Sequence, residues 1–500
     1  MIAAKKPILK LKPDVLVPAE EDKLVELAVY DVLLPCRRFE IDYKVAVLGR
    51  VSPSLEFLLR LVKSVSGIEE SAVASFFGFS AAELEYVLQE AITPSYVERK
   101  DGRLWLTAEG EALFIPGEEN PSLYEVHGRH GTYGFDLLSV APQRPPRLEP
   151  AESHLPEFAV SDGEAVGNAS KRIGKRFKTF FSELGDARDR DRYERRDLYS
   201  VDSVTASDRF HAPVRIRVHG AASNPSIPEI DLSSWRPESD ILDRPEVEQA
   251  AGRFVDDLRV SRHEANDMLA YRALIDMAPE FLKEFTTQRG LAVSRYWREA
   301  ISRAGEPRAD RQTIALVGSL FTQDNAERLS TLFDYGTRGR QAPPDMLISI
   351  APQMRHWGAT TQLRDTMTLI KAKTEAMSKS ADDIGLSCHC LIAGRPARYI
   401  ERMFDHVHQT DYVRFPPALE ILLIPDTVLA VLVHAPVGAF AGLAAPLGFG
   451  SFDKEVVRRA QALLLDNVDA YVRDEEMLNT IRSRCSNAGL QPEEPTPGAD

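Results

Sequence analysis

The sequence has little of three things: cysteine, positive charge and long apolar runs. Four cysteines in 500 residues exclude a disulfide framework and favour a reducing, cytoplasmic setting. Asp and Glu number 75 against 61 Lys and Arg, and the net charge of -14 excludes a uniformly positive nucleic-acid coat protein. The longest apolar runs, 419–424 and 428–433, are too short to cross a bilayer. We also expect no secretory signal, because no apolar stretch follows the first lysines.

The chain is long enough to form two or three hydrophobic cores. Its composition, 44% apolar and 27% charged residues, is that of an ordinary globular protein. The order of helical and strand-like patterns predicts an α/β multidomain protein. Its predicted segments are an N-terminal region 1–115, a loop-rich connector 116–243, a helical segment 244–305, an α/β domain 306–485 and a disordered tail 486–500.

Residues 50–115 carry the first clear pattern. Leu55, Leu58, Leu59 and Val62 recur at helical spacing, and two further short helices follow, the third with Ser80 as its N-cap. Two β-prone runs then flank an Asp-Gly turn. Three short helices followed by a hairpin resemble the winged helix-turn-helix family, and the "L-T-x-x-G" ending at 106–110 is similar to the close of that fold.

The resemblance leaves the binding partner of this module open. The helix in the recognition position carries Glu83, Glu85 and Glu90 and no Lys or Arg, whereas a helix in the major groove needs cations for phosphates. This favours protein contact or dimerisation. The alternative is DNA binding through the cations of the predicted wing, Arg99, Lys100 and Arg103.

A basic helix is predicted at 168–184, where positive charge is concentrated in an otherwise acidic chain. Its cations, the candidate nucleic-acid-binding residues, are Lys171, Arg172, Lys175, Arg176 and Lys178. They surround Phe177, Phe180 and Phe181. One interpretation is a phosphate or nucleic-acid contact, and the other is a solvated helix whose phenylalanines pack on the core.

Strand-like and helix-like segments alternate through the C-terminal domain, as in an α/β sheet. The predicted elements are strands at 313–320, 346–351 and 386–392, helices at 325–335, 361–378 and 397–407, an antiparallel pair at 419–424 and 428–433, and a last helix capped by Asp453.

His434 ends one of these strands, and Gly450-Ser451 precedes the last helix. This layout resembles the phospholipase D-like fold, an α/β sandwich whose motif runs H-x-K, then Asp, then G-S-x-N. In that family the histidine attacks phosphorus, and Lys, Ser and Asn hold the phosphate oxygens. The resemblance implies His434, Ser451 and Asp453 as site residues, the last in place of Asn.

The motif is degenerate. Pro436 stands where the lysine belongs and Ala441 where the aspartate belongs, so a phosphate would lose its main cation. If the fold is right, the resemblance implies a pseudo-enzyme. Alternatively, His434 is a core histidine at a strand end and 448–451 is an ordinary loop before a helix cap.

A metal interpretation exists for Cys388, His389 and Cys390 with His406 and His408. On the predicted helix the last two would point about 200° apart, which favours buried structural cysteines. A Cys-His nucleophilic pair is set aside, because adjacent strand residues point to opposite faces. No cofactor is predicted.

A winged helix combined with a degenerate phosphodiesterase motif predicts a nucleic-acid-associated binding or assembly component of a bacterial, antiphage-defence-like system. We expect this component to be a pseudo-enzyme rather than an active enzyme. Expected partners are DNA, proteins of the same system and a second copy of the chain, with no membrane. Two alternatives stay open: an active phospholipase D-like phosphodiesterase or nuclease using His434, and a ligand-sensing winged-helix transcriptional regulator.

Overall fold

The computed structural model describes residues 22–48, 52–114, 120–121, 124–160, 168–184, 196–235, 244–261, 263–303, 305–340, 342–377 and 385–486. Within them the chain is a mixed α/β protein with two compact units. The small unit comprises Cys36–Arg144 and Asp162–Phe210; the large unit comprises Met1–Pro35, Pro145–Ser161 and His211–Asp500. Both are discontinuous in sequence. Apart from Ser486, the predicted disordered tail lies outside the described residues.

The small unit combines three long strands with a set of shorter elements. In chain order its elements are β1 (Leu24–Leu48, from Cys36 on), α1 (Pro53–Ser64), β2 (Ile68–Glu69), α2 (Glu70–Phe77), α3 (Ala81–Ile92), β3 (Val97–Lys100), β4 (Arg103–Leu106), α4 (Ala108–Ala112), β5 (Tyr124–Asp136), α5 (Ala169–Leu184) and β6 (Arg196–Ala221, up to Phe210).

Residues 53–114, here the N-terminal module, fold as their apolar spacing predicts. The periodic residues of α1 and α3, among them Leu58 and Leu88, are fully buried in one cluster with β3 and β4. Ser80 caps α3 in a capping box with Glu83. At the β3–β4 turn Asp101 and Gly102 have φ of 49° and 68°, which suits the right-handed twist of a hairpin. The sheet order is β2-β4-β3.

The rest of the small unit is a ribbon covered by α5. β5 runs antiparallel to β1, and Ile173 and Phe177 of α5 pack with Phe39 and Ile41 of β1. The helix predicted at 168–184 is therefore confirmed at Ala169–Leu184. The segment expected as a loop-rich connector contains β5, β6 and a strand after β6. β5 and β6 both pair with β1, which is remote in sequence, whereas the last of these strands pairs with β6 through a short turn.

The large unit continues from β6. In chain order its elements are β7 (Asn224–Asp231), α6 (Pro245–Asp256), β8 (Val260–Ser261), α7 (Glu264–Met277), α8 (Pro279–Leu282), β9 (Thr286–Thr287), β10 (Gly290–Leu291), α9 (Val293–Ser302), β11 (Thr313–Val317), α10 (Gln323–Gly336), β12 (Met346–Ile350), α11 (Thr361–Met377), β13 (Ser387–Ala393), α12 (Arg398–Met403), β14 (His406–Thr410), β15 (Leu419–Ile424), β16 (Val428–Ala435), β17 (Ala441–Gly442), β18 (Ala445–Ser451), α13 (Lys454–Leu465) and α14 (Glu475–Ser486).

Its main sheet has the order β11-β18-β16-β15-β12-β13-β14. Every residue of β15, β16 and β18 is buried, which explains their continuous apolar runs. β15 and β16 pair antiparallel through a turn in which Asp426 has φ 56°, as the sequence predicted. Within the described residues, no helix is both long and apolar enough to cross a membrane.

Two local predictions in the large unit are wrong. The helix expected over 397–407 ends at Met403, because the next residues add β14 in parallel to β13. The segment 448–451, considered as a loop, is the end of β18 and pairs with both β11 and β16. Each error arose from sheet pairing that local periodicity does not reveal.

Candidate functional site

The structure does not bring together the three residues of the predicted phosphodiesterase site. In the antiparallel register of β16 and β18, His434 lies opposite Pro446, while Ser451 lies opposite Leu429. Five residues of strand separate the two positions, a distance of roughly 17 Å at about 3.4 Å per residue. His434 and Ser451 therefore occupy opposite ends of the strand pair and do not share a phosphate.

Ser451 and Asp453 both have structural contacts that account for them. The Ser451 hydroxyl is fully buried, lies 2.8 Å from Thr313 Oγ1 and accepts a hydrogen bond from the Asp453 amide at 3.0 Å. The Asp453 carboxylate caps α13 by accepting from the amides of Glu455 and Val456. The cap predicted at Asp453 is confirmed, and these contacts complete the strand-to-helix connection.

His434 belongs to a buried hydrogen-bonded pair that the sequence analysis missed. Its Nε2 lies 2.5 Å from Glu420 Oε2 in a hydrogen bond, and the indole of Trp357 donates to Glu420 Oε1 at 2.9 Å. The side chains of His434 and Glu420 are only 4% and 1% exposed. The available signal was a single acidic residue inside the apolar run of β15, since a buried carboxylate needs partners.

The second ring nitrogen of His434 gives this pair its chemistry. Because Nε2 is engaged with Glu420, Nδ1 is the ring nitrogen that is left for another partner. Nδ1 is buried and has no hydrogen-bond partner among the described residues. His434 lines a cavity of about 30 Å³ together with Tyr30, Ser319 and Trp357. That space suits one water molecule and is too small for a phosphodiester.

The cations of the predicted wing, here the hairpin cations, are all paired inside the N-terminal module. Arg99 lies 2.8 Å from Glu70 and 2.9 Å from Glu85, and the hydrogen bond to Glu85 raises its pKa. The other pairs are Lys100 with Glu98 at 2.5 Å and Arg103 with Glu69 at 2.9 Å. A phosphate approaching this hairpin would have to compete with carboxylates that already occupy its cations.

The carboxylates of the predicted recognition helix are engaged as well. Glu83 accepts from the Ser80 amide in the capping box at 2.8 Å, and Glu90 accepts from the Ser52 hydroxyl at 2.7 Å. Glu85 is the partner of Arg99. The acidic character of α3 therefore has a structural explanation within the module itself.

The cations of α5 are arranged differently. Lys171, Lys175, Arg176 and Lys178 are exposed and Arg172 is half-buried. None of the five forms an ion pair with a carboxylate of the described residues. We call these five residues the basic face. At 100° per residue they cover an arc of about 160°, opposite the buried stripe of the same helix.

A cluster of three imidazoles lies at the edge of the main sheet. Because β14 is a strand, His406 and His408 share a face with His389 on β13, contrary to the expected divergence of 200°. His389 Nδ1 lies 3.2 Å from His408 Nε2 with the two rings 4° from parallel, and Ser387 Oγ lies 3.0 Å from His389 Nε2. This geometry fits a chain of hydrogen bonds.

The electrostatics of this cluster favour neutral rings at His389 and His408 and protonated thiols. Burial, reinforced by the neighbouring imidazoles, lowers the pKa of His389 to about 4. Burial raises the pKa of Cys388 to about 12 and also raises that of Cys390. Thiolate nucleophiles or ligands are therefore disfavoured here. Among the described residues no group of three or more His, Cys, Asp or Glu has the geometry to hold a metal ion.

Comparison with known proteins gives no family: no protein-family model, curated protein sequence or solved structure matches this chain.

Proposed function

We propose that this protein is a nucleic-acid-binding component of a multiprotein, antiphage-defence-like bacterial system, and that α5 is its nucleic-acid contact. The observation that carries the proposal is the basic face, with its five cations and no carboxylate partner among the described residues. Binding phosphate through an unpaired lysine breaks no ion pair, so the full electrostatic attraction is available for binding.

In this proposal the N-terminal module is a winged helix that contacts proteins rather than DNA. Its hairpin cations are neutralised by Glu69, Glu70, Glu85 and Glu98. It also exposes Phe76 and Tyr86, at 70% and 67% of their surface, on the two helices before the hairpin. Exposed aromatic side chains are common anchors of protein interfaces.

The C-terminal domain is, in the same proposal, a phospholipase D-like domain without phosphodiesterase activity. Support comes from the separation of His434 from Ser451 and from the cavity of about 30 Å³ beside the histidine. The enzymatic alternative would require His434 to leave Glu420 and reach a phosphate across the length of a strand. The regulatory alternative would require an effector no larger than this cavity, or a second site.

The test is binding of the full chain to labelled DNA, with the same samples checked for cleavage. Lys175→Glu/Arg176→Glu reverses two cations of the basic face, and Lys100→Glu/Arg103→Glu is a matched control with the same charge change on paired cations. We expect binding without cleavage, and a loss of affinity of about tenfold or more in the first variant only. Unchanged affinity in that variant, or cleavage that His434→Ala abolishes, would refute the proposal.

A further inference from the structure

We propose that the basic face reads the phosphate backbone of double-stranded nucleic acid, independently of base sequence, and not the bases of a single strand. This inference rests on the proposed function and names its partner. It follows from three properties of α5: the density of its cations, the location of its aromatic residues and the absence of Asn and Gln.

The number of cations per unit length of α5 matches the number of phosphate charges per unit length of a duplex. Lys171, Lys175 and Lys178 form one row along the helix and Arg172 and Arg176 form a second row beside it. The rows extend over seven residues, about 10 Å at 1.5 Å per residue. A duplex carries one negative charge per ~1.7 Å of axis, or about six over that length, whereas one strand carries about half as many. Five cations without a carboxylate partner among the described residues correspond to the duplex value.

The aromatic residues of α5 are not available for stacking. Proteins that hold single strands without sequence preference stack successive bases on aromatic rings. Phe177 and Phe180 are 0% and 1% exposed. The half-buried Phe181 packs against Tyr43 and Phe177, with ring-centroid distances of 5.7 and 5.8 Å. The phenylalanines that the sequence places among the cations thus belong to the core of the small unit.

The side chains between the cations also offer little for reading bases. Among the residues of α5 whose side chains the structure describes, those on the exposed arc apart from the cations are Thr179 and Ser182. Asn and Gln, which form paired hydrogen bonds with adenine in the major groove, do not occur anywhere in α5. Contacts from Lys and Arg to phosphate position the protein on the backbone and carry no direct sequence information.

A membrane surface is the competing partner for a basic amphipathic helix. Helices of that kind bind by inserting their apolar face among the lipids. In α5 the apolar face is already covered, since Ile173, Phe177 and Phe180 are all at most 1% exposed. Only charge remains for an anionic surface, and the denser and more regular charge of a duplex is the better match.

The experiment compares four probes with the full chain: a labelled 30-base-pair DNA duplex, a duplex of scrambled sequence, the single strand and vesicles rich in phosphatidylserine. Each is titrated over a salt series with the parent protein, Lys175→Glu/Arg176→Glu and Lys100→Glu/Arg103→Glu. We expect both duplexes to bind within twofold of each other and about tenfold tighter than the single strand. Only the α5 variant should lose this binding.

The outcomes separate a failure of the duplex inference from a failure of the proposed nucleic-acid-binding function. Equal or tighter binding of the single strand, lost on Lys175→Glu/Arg176→Glu, would overturn the duplex inference and leave the proposed function standing. Tyr199→Ala adds a second readout, because Tyr199 is an exposed aromatic on β6 of the same unit, at 67%; weaker single-strand binding in that variant would identify stacking. No binding to any nucleic acid at low salt, or binding to vesicles alone, would overturn both.

Discussion

Two clusters of positive charge in the small unit look alike in the sequence and differ in the structure. The hairpin cations Arg99, Lys100 and Arg103 each touch a carboxylate of their own module, at 2.5 to 2.9 Å. The five cations of α5 touch none among the described residues. Net charge in a window of sequence therefore does not measure what a ligand encounters. The availability of a cation depends on whether the fold supplies it with a partner.

The largest effect is expected from breaking the attachment of α5 to its unit. Phe177 is fully buried, and its ring centroid lies 5.1 Å from the ring centroids of both Tyr43 and Tyr133. Phe177→Ala should cost about 3–5 kcal/mol of unfolding free energy in the small unit and reduce DNA binding with it. Phe76→Ala is the control: at 70% exposure it should cost about 0.5 kcal/mol or less. Urea unfolding and DNA titration measure both. Equal stabilities would show that α5 does not depend on this core.

Acidification should lower the stability of the protein without weakening its binding to DNA. The folded-state pKa of His389 lies below its unfolded value of 6.5, at about 4, so the unfolded chain takes up a proton first. Stability is fully present above about pH 6.5 and declines towards pH 4, by up to about 3 kcal/mol from this residue. Binding through Lys and Arg should not weaken while the protein remains folded, because acidification removes no positive charge and reduces the net negative charge of the chain.

Unfolding curves at several pH values measure this effect in the parent and in His389→Gln. The variant should lose much of the decline between pH 6.5 and 4, since its side chain does not titrate. An identical decline in both proteins would place the acid sensitivity elsewhere, for example at His408, whose pKa burial also lowers.

A smaller effect should follow from giving the basic face a partner of its own. Thr179 is exposed, four residues after Lys175 and three after Arg176, so Thr179→Glu places a carboxylate beside both. DNA affinity should fall about threefold to tenfold, because one negative charge is added and two cations become partly neutralised. Thr179→Gln is the uncharged control. If Thr179→Glu and Thr179→Gln bind DNA with equal affinity, ion pairing with a carboxylate is not what distinguishes the basic face from the hairpin cations.

The smallest effect should come from freeing the hairpin. Glu69→Gln/Glu98→Gln removes the partners of Arg103 and Lys100 with little change in shape. Exposed ion pairs contribute roughly 0–1 kcal/mol, so stability should hardly change. DNA affinity at low salt should rise about twofold, as two cations become available and net negative charge falls. A decrease in affinity would mean that these carboxylates organise a binding surface.

The elements that the sequence predicted well are those set by local pattern. The alternation from β11 to α13, the β15–β16 hairpin, the Asp453 cap and the basic helix all follow from spacing, turn residues and capping within a few positions. The failures are non-local. β1 and β6 pair with strands remote in sequence. β14 becomes a strand through pairing with β13.

The candidate site shows the same division. His434 was singled out correctly as unusual in a buried strand, but its partner Glu420 lies 14 residues away across a hairpin, and the expected partner Ser451 lies at the far end of the strand pair. The neutralisation of Arg99 and Arg103 likewise depends on carboxylates 14 to 34 residues away. Residue types can be read from the sequence, whereas their pairing requires the fold.

The most direct test of the central claim is the salt dependence of duplex binding in the two charge-reversed variants. We predict that Lys175→Glu/Arg176→Glu reduces the magnitude of the slope of log affinity against log salt by about two, roughly one per phosphate contact removed, while Lys100→Glu/Arg103→Glu leaves the slope at its parent value. An equal fall in both variants, or a fall in the hairpin variant alone, would contradict it.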